Sequence, residues 1–188
     1  MVIEASTVPM LIVEEVDDHA MFVAFMASTK DAVVNYLTRM CGSREHGEEL
    51  AQEAFVRIYQ HRRRYFGRAT LTPLLFRVAT NLLRSEYRLA RRREVLTKIF
   101  RRPEEVNGGR PDAELLQDET QRIVTAAISA LPLHYRAPLI LREIEGWSYE
   151  EIAQALACRS GTIKSRISRG RELLRAALAQ YWNGGIGD

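Results

Sequence analysis

Across residues 18–93 apolar side chains recur at spacings of three and four, and strand-like alternation is absent, so the segment reads as helical throughout, a hairpin or bundle. Within 48–59, Leu50, Ala51, Ala54, Phe55, Ile58 and Tyr59 share one stripe, leaving Glu49, Gln52, Glu53 and Arg57 opposite. The acids at the start of that helix suit its macrodipole without a functional cause. The stretch 65–73, YFGRATLTP, breaks the pattern with Gly67 and Pro73 and is expected to be a loop, Pro73 entering the next first turn. From 74 to 89, Leu75, Val78, Ala79, Leu82 and Leu83 form the predicted buried stripe. Arg77, Asn81, Arg84, Ser85 and Arg88 fall on the other face.

Residues 94–121 contain Arg101-Arg102-Pro103, Asn107-Gly108-Gly109 and Pro111-Asp112, a cluster of turn formers without periodicity, which places an interdomain linker there. Periodicity returns with Ile123, Val124, Ala127, Ile128 and Leu131 and stops at Pro132. The stretch 147–174 then reads as a helix from about Ser148 to Leu156, a tight turn over 157–159, and a second helix from about Ser160. This is helix-turn-helix spacing. Ser148 and Glu151 form a capping box, and Ile152, Ala153 and Leu156 face Ile163, Ile167 and Leu174.

Composition alters this picture little: 46% hydrophobic and 27% charged residues in 188 describe an ordinary folded chain of one or two domains. No apolar run reaches bilayer length, and the first eighteen residues carry five acids and no base, unlike a secretory signal, so a cytoplasmic protein is expected. Cys41 and Cys158 lie far apart without metal-ligand spacing. They read as buried free thiols; a redox role would need exposure and a lowered pKa.

Charge changes the picture more. The net charge of +3 conceals segregation: residues 57–102 hold fourteen Lys and Arg against two acids, and 159–175 hold six against one. Between them, 103–121 holds six acids and one arginine. Two separated basic blocks are what phosphate neutralisation requires, although solvated helix faces would also carry such charge. On 74–89 the arginines can position a phosphate backbone while Asn81 pairs with a base edge. The second helix of 147–174, opened by Ser160 or Arg159, presents Thr162, Ser165, Arg166 and Arg169, with Arg159 and Lys164 alongside, for a major groove.

SYEEIAQAL followed by SGTIKSRISRGRELLR resembles the C-terminal domain of the extracytoplasmic-function (ECF) sigma factors, the small promoter-recognition subunits of bacterial RNA polymerase. GEELAQEAFVRIYQ resembles the polymerase-binding helix of the same family, and LFRVATNLLRSEYRLARRR its helix for the melted promoter. The resemblance implies an all-α protein of two small helical domains, a bundle of sigma region-two type and a helix-turn-helix of region-four type, joined by a flexible linker. The expected boundaries are a tail at 1–18, domains at 19–93 and 122–180, a linker at 94–121 and a tail at 181–188.

It further implies that Glu49, Leu50, Gln52, Glu53, Phe55 and Arg57 meet the core polymerase, although core packing would equally explain Leu50 and Phe55. Arg77, Asn81, Arg84, Ser85 and Arg88 would hold the minus-ten element, with Tyr65 and Phe66 as stacking candidates for a flipped base. Arg159, Ser160, Thr162, Lys164, Ser165, Arg166 and Arg169 would read the minus-thirty-five element. The acidic linker would mimic nucleic acid inside the polymerase. An anti-sigma factor, often membrane-bound, is the further partner implied; no catalytic residue, metal or cofactor is expected. The chain departs from the family pattern at Leu74, where Trp is usual, at Ser85, where an acid or amide is usual, and at Ala157, where Gly is usual; Ala157 is expected to keep a negative φ.

Two other readings make different demands. A stand-alone helix-turn-helix regulator would bind duplex tightly without polymerase. An enzyme built on the cluster Arg44-Glu45-His46-Gly47-Glu48-Glu49, with or without a metal, is the other; a zinc-activated water there would lack a ligand set, since only one histidine is present and no HExxH spacing exists.

Overall fold

The computed structural model describes the backbone of residues 10–65, 71–100 and 119–184 and the side chains of 18–62, 65, 71–93 and 123–179 within them. Eight helices account for the described residues: α1 (Met10–Cys41), α2 (Arg44–Gln60), α3 (Arg62–Tyr65), α4 (Leu71–Phe100), α5 (Glu119–Ala130), α6 (Leu133–Glu143), α7 (Tyr149–Leu156) and α8 (Ser160–Gly184). The all-α expectation holds.

In the N-terminal half α1, α2 and α4 pack side by side. Gly42, at φ +82°, closes α1 in a left-handed cap, its N–H donating to the Thr38 carbonyl at 2.7 Å. Ser43 then caps α2 by accepting from the His46 N–H at 3.3 Å. The two helices approach closely because residue 47 is glycine: a Cβ there would lie 2.8 Å from the Thr38 backbone nitrogen. The predicted α2 stripe faces inward, and Phe55 sits edge-on to Phe22 and Phe25 with ring centres 6.3 and 6.4 Å apart.

Helix α4 buries Leu75, Ala79, Leu82 and Leu83 as expected, and also Phe76 and Thr80. Those two face α1. Thr80 spends its hydroxyl proton on the Phe76 carbonyl at 2.6 Å, so Tyr36 donates to Thr80, at 2.8 Å. Complete burial pushes the Tyr36 phenol up to about 12.

The C-terminal half holds the helix-turn-helix. Ser148 caps α7 by accepting from the Glu151 N–H at 3.2 Å, and the Glu151 carboxylate returns to the Ser148 N–H at 2.8 Å, completing the box. Ile152, Leu156, Ile163 and Ile167 are buried as predicted, whereas Ala153 and Leu174 lie at the margin. Ala157 contradicts its expectation. It adopts φ 51° and ψ 47°, because α7 ends in a left-handed cap in which the Cys158 N–H reaches back to the Ala153 carbonyl at 3.0 Å.

Element ends also differ from the sequence reading. Helix α1 begins at Met10, inside the expected tail, α4 runs on to Phe100 beyond the expected end at 93, and α8 reaches Gly184. Each extension adds turns to a helix already anchored by packing, where propagation is easy and nucleation is already met. Within the expected loop 65–73, Tyr65 closes α3 and residues 71–73 open α4, with Pro73 in its first turn. Residues 66–70, with Phe66, and 101–118 of the linker lie outside the described residues.

The two halves are not separate bodies: one hydrophobic cluster runs through both. Phe76 of α4 packs on Trp147, just before α7, with ring centres 4.7 Å apart. Arg136 of α6 donates to the Met40 carbonyl near the end of α1.

Candidate nucleic-acid interface

The first basic face lies along α4. Arg77, Asn81, Ser85 and Arg88 are exposed and Arg84 is half-buried, so the helix presents all five on one side, opposite its buried stripe. Ser85 turns its hydroxyl onto its own helix, donating to the Asn81 carbonyl at 2.8 Å and accepting from Arg88 at 3.1 Å. That bond spends the Ser85 donor and steadies Arg88. Arg77 and the Asn81 amide make no side-chain hydrogen bond among the described residues, which leaves them available to a ligand.

Next to this face opens a cleft of about 1110 Å³ whose walls come from both halves. Asn81, Arg84, Tyr87, Arg88, Ala90 and Arg91 of α4 face Pro132, Leu133 and His134 at the start of α6. His134 is held below the usual imidazole range, first by loss of hydration and then by the charges of Arg166 and Arg84. Both influences favour its neutral form. Tyr87, 44% exposed, and His134 escaped the sequence reading because only the tertiary fold brings α4 against the α5–α6 corner.

The second basic face is the N-terminal part of α8. Arg159, Lys164, Ser165 and Arg169 are exposed; Ser160, Thr162 and Arg166 are half-buried. Ser160 donates to Glu150 at 3.3 Å, Ser165 to the Thr162 carbonyl at 2.9 Å, and Arg169 pairs with Glu172 at 2.7 Å. Lys164 lies over the Tyr149 ring, 5.6 Å from its centre. Arg166 departs from the expected outward pose. Its guanidinium turns back into the helix-turn-helix corner and donates to the Cys158 sulfur at 3.1 Å.

On α2 the structure divides the residues expected to meet polymerase. Leu50 and Phe55 are 4% and 6% exposed and belong to the core, where the α2 stripe meets α1. Glu49, Gln52, Glu53 and Arg57 are exposed, the last two paired at 2.7 Å. Val56, 42% exposed, lies among them. An apolar residue on a polar helix face was the available signal, and the sequence reading passed over it.

Remaining chemistry is sparse. His46 spans Glu86 of α4 at 2.9 Å and Glu49 at 3.4 Å, tying α2 to α4. Among the described residues no group of three His, Cys, Asp or Glu could hold a metal, and no helix is long and apolar enough to cross a membrane. Cys41 and Cys158 are free but only half-buried, short of the full burial expected, because each lies at a helix end. Burial pushes the Cys41 thiol up, against thiolate chemistry.

Comparison with known proteins agrees with this geometry. Residues 25–93 match the family model for sigma-70 region 2 and residues 121–174 that for sigma-70 region 4. The chain is 34% identical over 158 residues to the ECF RNA polymerase sigma factor SigE of Mycolicibacterium smegmatis, covering 80% of this chain and 59% of that protein. It is 30% identical to the RNA polymerase sigma-H factor of Pseudomonas aeruginosa, over 78% of this chain and 80% of that one. For the ECF sigma-E factor of Haemophilus influenzae the identity is 31%, over 84% and 87%. Among solved structures, the sigma factor RpoE of Bartonella quintana in complex with the anti-sigma factor NepR superposes with a TM-score of 0.66 at 25% identity, covering 84% of this chain and 96% of that one. CnrH in complex with the cytosolic domain of CnrY shares the fold, at TM-score 0.62 and 20% identity, over 86% and 90%.

A two-part helical reader with one basic face in each half thus defines the class, a DNA-binding transcription initiation factor. The chain belongs to the sigma-70 family and, within it, to the ECF RNA polymerase sigma factors. The stand-alone regulator is not favoured, since the N-terminal half is itself a sigma region.

Proposed function

We propose that this protein binds core RNA polymerase and directs promoter recognition, melting and initiation by dividing the promoter between its two basic faces. The observation that carries this reading is the pairing of an available Asn81 between arginines on α4 with a capped helix-turn-helix whose second helix exposes Arg159 and Lys164. Arg77, Arg84 and Arg88 neutralise phosphates of the minus-ten strand while Asn81 meets a base edge. Ser85, bonded to its own helix, positions Arg88 more than it reads a base. Tyr65 and Phe66 receive an unstacked base, at a cost of a few kcal/mol repaid by stacking.

On α8, Arg159, Ser160, Thr162, Lys164, Ser165 and Arg169 meet the duplex minus-thirty-five element, and Arg166 braces the turn through Cys158. Glu49, Gln52, Glu53 and Arg57 form the polar contact with the polymerase; Leu50 and Phe55 support that helix from inside. Domains of about 19–93 and 122–180 do this work, joined by the acidic linker. The protein acts in the cytoplasm, without catalysis of its own and without cofactor, and an anti-sigma factor restrains it. In reconstituted transcription, core polymerase with this protein yields promoter-specific transcripts that core alone does not; equal transcripts from core alone would overturn the reading.

A further inference from the structure

The cleft beside the α4 face is lined by cations without acids. Arg84, Arg88 and Arg91 follow one another at spacings of four and three along α4, and no lining residue is Asp or Glu. Among the described residues none of the three makes an ion pair; Arg88 bonds the Ser85 hydroxyl. Glu86, which lies between Arg84 and Arg88 in the chain, is drawn instead to His46 of α2 at 2.9 Å. Like charges at these helical spacings repel, so the row is most stable with an anion before it.

The opposite wall adds to the same potential. Helix α6 begins there without a side-chain cap. Tyr135 and Arg136 donate their N–H groups to the Pro132 carbonyl at 2.9 and 3.0 Å, whereas those of Leu133 and His134 have no acceptor among the described residues. The remaining lining suits a flat ring with polar edges. Tyr87, 44% exposed, is accompanied by Pro132 and Leu133, and the Asn81 amide is uncommitted. His134, in the neutral form its surroundings favour, keeps one donor and one acceptor. A volume of about 1110 Å³ is ample for a small organic ligand. Arg84 to Arg91 spans two turns, about 10 Å, and Arg77 at the other end of the basic face does not line the cleft. That length suits one polyphosphate chain rather than a strand of several nucleotides.

We propose that this cleft is a binding site for a nucleoside polyphosphate. Its phosphates lie against Arg84, Arg88, Arg91 and the start of α6, and its base rests on Tyr87 with Asn81 and His134 at the polar edge. Inorganic polyphosphate would meet the same arginines but leave Tyr87 and Leu133 uncovered. An acidic peptide would bring charge without the flat ring. Asn81, Arg84 and Arg88 are also the residues proposed for the minus-ten element, so nucleotide and promoter strand exclude one another on α4. That consequence rests on the sigma-factor reading, whereas the site itself is measured on the free chain.

The test is calorimetric titration of the full chain with ATP, GTP and inorganic tripolyphosphate at one ionic strength. ATP or GTP is expected to bind about tenfold more tightly than tripolyphosphate, the worth of one stacked base. Tyr87→Leu should erase that advantage and leave tripolyphosphate binding as it was. Arg91→Ala should weaken the nucleotide about tenfold, the worth of one charge-assisted bond. Arg92→Ala, which removes the same charge one residue outside the cleft, should change nothing. Should Tyr87→Leu not fold by circular dichroism, the comparison of Arg91→Ala with Arg92→Ala decides alone. The site is overturned if neither nucleotide binds saturably, if tripolyphosphate binds as tightly, or if the two arginine variants lose affinity equally, as diffuse charge would require. Tighter binding of an aspartate-rich peptide likewise overturns it and gives the cleft to an acidic protein segment. Nucleotide binding by a chain that fails to direct core polymerase upholds the site and removes the sigma reading instead.

Discussion

Ala157 offers a direct test of how the helix-turn-helix is held. Its backbone is left-handed, φ 51° and ψ 47°, at the point where α7 must stop and the chain must turn toward α8. An L-residue pays about 1–2 kcal/mol there, because Cβ crowds the following carbonyl oxygen. Glycine escapes that cost but brings extra freedom to the unfolded chain, worth about 0.4–1 kcal/mol. Ala157→Gly should therefore stabilise the protein by about 0.5–1 kcal/mol, while the Cys158 N–H to Ala153 bond survives. For a chain of this length the melting temperature rises by about 1–4 °C. Ala157→Val supplies the opposite sign, since a β-branched side chain suffers most in that region. Urea denaturation followed by tryptophan fluorescence should show the midpoint rising for Gly and falling for Val at constant slope. A glycine variant no more stable than wild type, together with a harmless valine, would refute the strained-cap account.

Gly47→Ala places a methyl 2.8 Å from the Thr38 backbone nitrogen, where no side chain can yield, and should lower stability by about 1–3 kcal/mol in the same urea assay. Ser148→Ala removes the α7 cap at a cost of about 1 kcal/mol. The Glu151 carboxyl is held below its ordinary 4.5 by the Ser148 N–H and hydroxyl, so the box contributes fully above that value and fades as pH falls; the variant should lack this part of the acid-side decline in thermal stability. Tyr36→Phe gives up one buried hydrogen bond, about 1 kcal/mol at neutral pH. With the phenol raised to about 12 from 10, its contribution is whole below pH 10 and drains away toward pH 12, so the gap to the variant should narrow in melts run from pH 8 to 11.5. Arg159→Ala should reduce the slope of log affinity against log salt for minus-thirty-five duplex by about 0.9, as measured with holoenzyme in anisotropy titrations.

Much of this protein could be read from local pattern. The helix-turn-helix core of Ile152, Leu156, Ile163 and Ile167, the Ser148–Glu151 box and the α4 split between a leucine stripe and an arginine–asparagine face all depend on residues within a turn or two of each other. Helical periodicity and capping report such spacings directly. The two separated basic blocks needed only counting along the chain.

What the sequence could not determine involves residues far apart in it. Phe76 and Thr80 drew no reading from the sequence; Tyr36 packs on the one and bonds the other, Trp147 also packs on Phe76, and Arg136 is buried where it donates to the Met40 carbonyl of α1. Ala157 was misread for a related reason: its backbone angles follow from the direction in which α8 must leave to pack on α6 and α7, which no neighbouring residue encodes. Leu50 and Phe55 could have faced a partner or the core, and only the position of α1 decided for the core. By itself the sequence determined which helices form and which face of each is apolar, because those depend on i to i+4 chemistry. Only the tertiary structure decided which apolar faces meet, which strained turn they require and what walls the cleft beside the α4 face, because burial depends on what arrives from elsewhere in the chain.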